Sequence, residues 1–227
     1  MLDYQLDDGV AVITMDDGKA NALSEAMIAK LLEALARAEG EASAAVLAGR
    51  PDRFCAGFDL RVMMSGPDHA KALLRRRSEL LMKLYGAKVP LVIACTGHAV
   101  AGGALVVLTG DHRIGAAGEF RIGLNEVSIG LPVPVLAMEL ARDRLSKRAL
   151  TQATLLAQLY DPVAACEVGY LDVVVAPADV LPRAKLEAAR LGKLARPAFL
   201  GTKQRLRGQT IAHITSTLEA DFATLLA

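Results

Sequence analysis

From Val89 to Gly110 the chain carries no Asp, Glu, Lys or Arg. A run of that length can span a bilayer, and no other stretch constrains the fold as much. Pro90, Thr96, His98, Thr109 and glycines 97, 102, 103 and 110 interrupt it. An apolar run broken in this way predicts a buried strand over 91–95 that leads, through glycines, into a buried helix. A strand and a helix that are apolar all round belong in an interior, so other elements must cover them. With 53% hydrophobic residues in 227, the chain has enough apolar side chains for one such domain, with or without a helical appendage.

The flanking sequence supplies the cover. Residues 9–15 are rich in Val and Ile and read as a strand. Asp16 to Asn21 is turn-rich. Ser24 is placed to cap a helix with Met27, Ile28, Leu31, Leu32 and Leu35 on one face and Gly40 at its end. Ala44 to Gly49 is a second fully apolar strand. Strand, helix and buried strand in succession predict a crossover in a partly parallel sheet. A helix is expected over 68–85; its Arg75-Arg76-Arg77 triplet could hold a phosphate but reads rather as a solvated face. Beyond a strand near 172–175 the chain reads as two or three helices, broken near Arg196-Pro197 and at Gly208. The division this suggests is an α/β body over 1–176 and a helical region over 177–227. No internal repeat is visible.

Composition narrows the functional classes. The formal net charge is +1 and there is no Trp, which speaks against a nucleic-acid partner. Cys55, Cys95 and Cys166 are far apart, and so are the four histidines. This predicts reduced thiols, no metal site and a cytoplasmic location. Met1-Leu2-Asp3-Tyr4 has no basic region followed by an apolar core, so no signal peptide and no membrane association are expected.

Two stretches share a design. A buried strand runs toward small residues, Ala56-Gly57 in one case and Gly102-Gly103 in the other. Small residues let a ligand approach the backbone. If each turn opens a helix, unpaired N–H groups and a positive dipole end face the same space. Two such donors on one oxygen would form an oxyanion hole. On the residues alone, glycines that merely allow close packing explain the pattern as well. Glu126, among Leu124, Val127, Ile129 and Leu131, reads either as a proton-transfer group or as a surface carboxylate capping a loop.

Phe54-Cys55-Ala56-Gly57-Phe58-Asp59-Leu60, Gly97 with Gly102-Gly103, and Ile122-Gly123-Leu124-Asn125-Glu126 with Gly130 together resemble the crotonase superfamily, the enoyl-CoA hydratase/isomerase family. The likeness runs from the loop Gly18-Lys19-Ala20-Asn21-Ala22-Leu23 to Gly169-Tyr170-Leu171-Asp172. It implies an α/β spiral of repeated ββα units with a C-terminal helical region used in trimerisation. The assembly would be a homotrimer or hexamer. It also implies an acyl-CoA thioester substrate and no cofactor, coenzyme A being part of the substrate. The thioester oxygen would lie between the backbone N–H groups of Phe58 and Gly102. Lys19, Ala20, Leu23, Ala56, Gly57, Asp59, Leu60 and Gly103 would bind the coenzyme A and acyl parts.

Hydratases of the family use two glutamates. Glu126 stands at the place of the second, and Leu105 replaces the first. Leucine cannot orient water or exchange a proton. The single-carboxylate pattern is more similar to the Δ3,Δ2-enoyl-CoA isomerase branch, in which one glutamate takes a proton from C2 and returns it at C4. Two other readings remain: a hydratase, and a CoA-thioester binding protein with little catalysis. Ala101 stands where many members have a third glycine.

Overall fold

The computed structural model of the chain describes residues 2–57 and 67–225, and of 67–70 the backbone alone. It opens with a hairpin. β1 (Leu2–Asp7) pairs antiparallel with β2 (Val10–Met15) through Asp8-Gly9, whose φ values of 47° and 78° suit a tight two-residue turn. The turn signal is in the sequence, yet β1 was not among the expected strands. Ser24 caps α1 (Glu25–Glu41), its Oγ accepting from the Met27 N–H at 3.3 Å. α1 runs through Gly40, one residue past the expected end, and delivers the chain to β3 (Ala44–Ala48), parallel to β2.

Two strands then alternate between two sheets, three times over. β3 is followed by β4 (Asp52–Cys55), β5 (Leu91–Cys95) by β6 (Gly97–Val100), and β7 (His112–Ala116) by β8 (Ile122–Gly123). After the first two pairs come α2 (Pro67–Tyr85) and α3 (Gly102–Thr109). After the third come a 3-10 turn (Val127–Ile129) and α4 (Val135–Arg144). The larger sheet has the order β1-β2-β3-β5-β7-β9, with β9 spanning Val173–Val175, and only β1 is antiparallel. The smaller sheet, β4-β6-β8, is parallel throughout. This is the spiral of ββα units that the resemblance implied. The repeat is structural and has no counterpart in side-chain sequence. The sharp passage from β5 to β6 needs Gly97, where a Cβ would lie 2.2 Å from the Asp52 carbonyl oxygen.

Alternation along the strands sorts the core into two layers. Ile13, Leu47 and Ile93 face α1, α2 and α3. Val12, Val46, Val92 and Ile114 face the other way, against Val180, Ala184 and Ala188 of α7 (Val180–Leu191). The short helices α5 (Leu150–Ala153) and α6 (Pro162–Val168) bridge from α4 to β9. α3 is buried at every position, as its sequence predicts. Among the described residues no helix is both long and apolar enough to cross a membrane.

The tail corrects one expectation. The break expected near Arg196-Pro197 falls between α7, which ends at Leu191, and α8 (Arg196–Leu225), but α8 is a single helix of 30 residues that runs unbroken through Gly208. Proline is tolerated in a first turn. A helical glycine costs about 1 kcal/mol relative to alanine, which burial of Lys203, Arg207, Ile214 and Phe222 along the same helix offsets.

Candidate active site

The two small-residue turns meet. Gly57 has φ +86°, and a Cβ there would lie 2.8 Å from the Val100 carbonyl oxygen and 2.9 Å from the Gly102 nitrogen. The end of β4 therefore lies directly against the start of α3. Gly103 completes the approach: its Cβ would overlap the Cys55 carbonyl oxygen, at 2.0 Å. Gly102 heads α3, and the first N–H groups of a helix have no acceptor within it. Ala101, just before it, is held at φ 51° and ψ −120°, a conformation that disfavours any side chain. That strain gives a physical reason for a glycine at this place. Phe58, Asp59 and Leu60 lie outside the described residues.

The loop before α1 is tied to the same turn. The Ala56 N–H donates to the Ala20 carbonyl at 2.9 Å, and the Leu23 N–H to the Gly57 carbonyl at 2.8 Å. Asn21, fully buried and at φ 54°, holds the loop in place. Its Nδ2 donates to the carbonyls of Met15, Arg53 and Phe54, and its Oδ1 accepts from the Asp17 N–H. Burial raises the Asp17 carboxyl, but the N–H groups of Asn21, Lys19 and Ala22, with Arg50, outweigh it and hold the group below its ordinary value. Arg50 also donates to the Lys19 carbonyl. Lys19 is exposed at the rim, whereas the Leu23 side chain is wholly in the core. Loop, β4 turn and α3 start thus form one continuous wall.

Opposite that wall stands Glu126, between β8 and the 3-10 turn. Backbone bonds to its carbonyl from Ile129 (3.1 Å) and Leu131 (3.0 Å) lock the segment. The residue is 8% exposed and its Oε2 has no hydrogen-bond partner. Burial pushes its carboxyl above the ordinary value, partly opposed by the N–H groups of Glu126 itself and Asn125. Of the expected apolar surroundings, Ile129 and Leu131 line the same cavity as Glu126, whereas Val127 is 40% exposed and Leu124 belongs to the core. The other apolar neighbours come from elements distant in sequence.

Those neighbours enclose a cavity of about 180 Å³. Ala56, Val100, Ala101 and Leu105 form one side; Asn125, Glu126, Ile129 and Leu131 form the other. Leu74 and Arg77 of α2, Pro132, Pro134 and Leu225 of the tail close it. Among the described residues Glu126 is the one carboxylate lining it, and Leu105 shares it with Glu126. Asn125, Arg77 and Leu225 were not read from the sequence as site residues. For Arg77 a signal existed: Leu73, Leu74, Leu80, Leu81 and Leu84 mark the buried stripe of α2, and position 77 lies on it. Arg77 is 3% exposed, so the expectation of a solvated arginine triplet holds for Arg75 and Arg76 but fails for Arg77.

His98 is a packing residue on β6. Its Nδ1 accepts from the Arg121 N–H at 3.0 Å and its ring meets Phe120 edge-on. Among the described residues no group of three or more His, Cys, Asp or Glu side chains could hold a metal ion. What the cavity offers chemically is a buried carboxyl group, raised above its ordinary value, in a space that Val100 and Ala101, just before the start of a buried helix, also line.

Known proteins share this architecture. Human mitochondrial enoyl-CoA delta isomerase 1 is 32% identical over 218 residues, spanning 94% of this chain and 72% of its own. A putative enoyl-CoA hydratase of Thermus thermophilus is 32% identical over 208 residues, 87% of this chain and 80% of its own. The crystal structure of an enoyl-CoA hydratase/isomerase family protein from Pseudomonas syringae superposes with a TM-score of 0.96 at 38% identity, covering 99% of this chain and 97% of that one. The human mitochondrial Δ3,Δ2-enoyl-CoA isomerase structure superposes at 0.95 with 30% identity, covering 99% and 90%. A model of the family described as enoyl-CoA hydratase/isomerase matches residues 5–225. With its spiral fold, its meeting glycine turns and its buried glutamate, the chain belongs to the enoyl-CoA hydratase/isomerase family.

Proposed function

We propose that this protein isomerises 3-enoyl-CoA thioesters to 2-enoyl-CoA thioesters, with Glu126 as the proton shuttle. The observation that carries the reading is the pairing of one buried carboxylate, Glu126, with Leu105 in a shared cavity. Glu126 takes a proton from C2. The electron pair moves into the thioester, giving a dienolate whose oxygen faces the Gly102 N–H and, by motif, that of Phe58. The same proton returns at C4, and the double bond shifts from C3–C4 to C2–C3. A group that must be base and then acid works best with a pKa near the working pH, and burial raises the Glu126 carboxyl in that direction. The coenzyme A part would leave past the rim at Lys19 and Ala20.

Hydration requires a water held and activated between two carboxylates, and Leu105 removes one of them. The test is Glu126→Gln, which keeps shape and hydrogen bonding but cannot accept a proton. Isomerisation of a 3-enoyl-CoA, followed by absorbance, should fall by roughly 10²–10⁴. Wild-type turnover of 3-enoyl-CoA should exceed hydration of 2-enoyl-CoA. Unchanged isomerisation by Glu126→Gln would exclude the shuttle. Faster hydration by the wild type would favour the hydratase, and binding without turnover of either substrate would favour a thioester-binding protein.

A further inference from the structure

One face of α8 runs past the core and ends on the cavity. Ile214 and Phe222 on that face are buried, and Leu218 packs against the same core as Ile214. The spacing 214, 218, 222, 225 keeps all four on one stripe, and Leu225 is the member of it that lines the cavity with Glu126. The last turn of a helix frays unless something ties it down. Here two ties do so. The Asp221 carboxylate accepts from the Val135 N–H at 2.9 Å. Val135 opens α4, and Pro134 before it has no side-chain acceptor to cap that helix, so Asp221 meets a donor that α4 leaves over. Glu219 accepts from Arg75 of α2 at 2.7 and 2.8 Å and lies 3.2 Å from Lys71. The end of α8 is thereby fixed against α4 and α2, beside Pro134 and Leu74 of the same cavity.

The direction of the acyl chain follows from the proposed reaction. The thioester oxygen belongs at the turns of Gly57 and Gly102, where Ala56, Val100 and Ala101 line the cavity. The loop of Lys19 and Ala20, past which coenzyme A would leave, is bonded to that same turn through the Ala56 N–H. The acyl chain therefore extends the other way, toward Leu74, Pro134 and Leu225, which belong to helices packed on one another. These side chains carry no polar group, so what they receive is hydrocarbon. The room is small. An apolar cavity of about 150 Å³ admits a six-carbon ring. The cavity of about 180 Å³ here therefore admits roughly six or seven carbons.

We propose that Leu225, positioned by Asp221, is the end wall of the acyl pocket and makes the protein selective for short acyl chains, with an optimum of about six carbons. Leu225 touches the far end of the chain and sets the specificity; Asp221 acts through it as a positioning residue. Each methylene that still fits gains about fourfold in affinity. One that does not fit must push the end of α8 away from α4 and break the bond from Val135 to Asp221. A four-carbon chain stops short of Leu225 and is indifferent to it. The proposal rests on reading the Glu126 cavity as the acyl site, and its test is arranged to separate the two.

The wild type, Leu225→Ala, Leu225→Phe and Asp221→Ala are assayed on 3-enoyl-CoA thioesters of four, six, eight, ten and twelve carbons. In parallel, calorimetry measures the saturated thioesters of the same lengths as ligands. In the wild type, kcat/KM should rise from four to six carbons and fall by at least about tenfold from six to ten. Leu225→Ala shortens the end wall and should raise the ten-to-six ratio by at least about tenfold. Asp221→Ala should move that ratio in the same direction, and Leu225→Phe should lower the six-to-four ratio. In all three, kcat on the four-carbon chain should stay within about twofold of wild type, a pattern that a general loss of stability would not give. Leu206→Ala, exposed on the same helix, should leave every ratio unchanged. If the wild type turns over no 3-enoyl thioester, but affinity peaks near six carbons and moves to longer chains in Leu225→Ala, the isomerase reading fails and the Leu225 proposal stands. A wild type that uses and binds ten- and twelve-carbon chains as well as six-carbon ones would overturn the proposal and leave the isomerase reading intact. So would a Leu225→Ala protein with native circular dichroism whose ten-to-six ratio stays within about twofold of wild type. Should Leu225→Ala fail to fold, Leu225→Phe decides, and an unchanged six-to-four ratio there overturns the proposal as well.

Discussion

Replacing Arg207 by methionine tests how the tail holds the site. Arg207 is 3% exposed on α8, 97 to 122 residues along the chain from the carbonyls it binds. It donates to the carbonyls of Tyr85 (2.8 Å), Thr109 (3.2 Å) and Gly110 (3.4 Å), and lies 3.1 Å from Asp111. The guanidinium also sits 4.4 Å above the Tyr85 ring. Methionine keeps much of the stem's packing and removes every polar contact. Breaking a buried ion pair by removing one partner costs about 3–5 kcal/mol. Asp111 keeps Lys203 at 2.8 Å and the Leu91 N–H at 2.8 Å, so the carboxylate is not stranded and the lower half of that range applies. The buried carbonyls at the end of α3 lose a donor as well, which keeps the cost from falling below that range. A loss of about 3–4 kcal/mol corresponds to roughly 6–16 °C in Tm for a chain of this size. Urea denaturation and thermal melting measure it, with Arg205→Met, exposed on the same helix, as a control expected within about 0.5 kcal/mol of wild type. An Arg207→Met protein within about 1 kcal/mol of wild type would refute the account of the tail as the anchor of α3.

Two further outcomes follow from the site. Ala101→Gly should raise stability by about 1 kcal/mol, roughly 2–4 °C, because it releases the strain at φ 51°; a lower melting temperature would show that Ala101 is not strained. Glu126→Gln should be more stable than wild type at alkaline pH and equal to it in acid. The folded carboxyl lies above its unfolded value, so the native state binds the proton more tightly. Wild-type stability therefore falls as pH rises from the ordinary carboxylate range through the raised value, and glutamine removes that loss. Denaturation curves across that range that diverge in the opposite direction would mean Glu126 is better solvated folded than unfolded.

Elements whose signal lies within their own residues were legible in the sequence. The uncharged run from Val89 announced β5 and α3, Ser24 announced α1, and the motif around Gly102 and Glu126 led to the family. What escaped depends on partners far along the chain. β4 is four residues with only Phe54 and Cys55 buried, so it has no alternation long enough to read. Of the sequence neighbours expected around Glu126, Ile129 and Leu131 line the cavity and Leu124 and Val127 do not, while the rest of the enclosure comes largely from α2, α3 and the tail. Arg77 was masked by its own neighbours, since a run of three arginines reads as surface until the leucine spacing of α2 is weighed against it. Gly208 looked like a break because propensity is local, whereas the burial that keeps α8 continuous is tertiary.

The position of α3 explains why so much of the chain is spent around eight residues. A helix without a polar face has no solvent along its sides to screen its dipole, so both ends must be dealt with by the fold. The positive end opens, through Gly102, on the space beside Gly57, where negative charge would develop during proton transfer. The negative end is met by cations: Arg207 on the Thr109 and Gly110 carbonyls, Arg144 on Gly110 at 2.8 Å, and Lys203 on the adjoining Asp111. Two of these three come from α8. The tail therefore acts on the site in two separable ways. Leu225 borders the cavity and can influence only what fits in it. Arg207 and Lys203 border no part of that cavity, and they hold the helix whose first N–H would, in the proposed mechanism, face the reacting oxygen. Substitutions of the first kind should appear in KM for particular acyl chains, and those of the second in stability and in kcat for every chain.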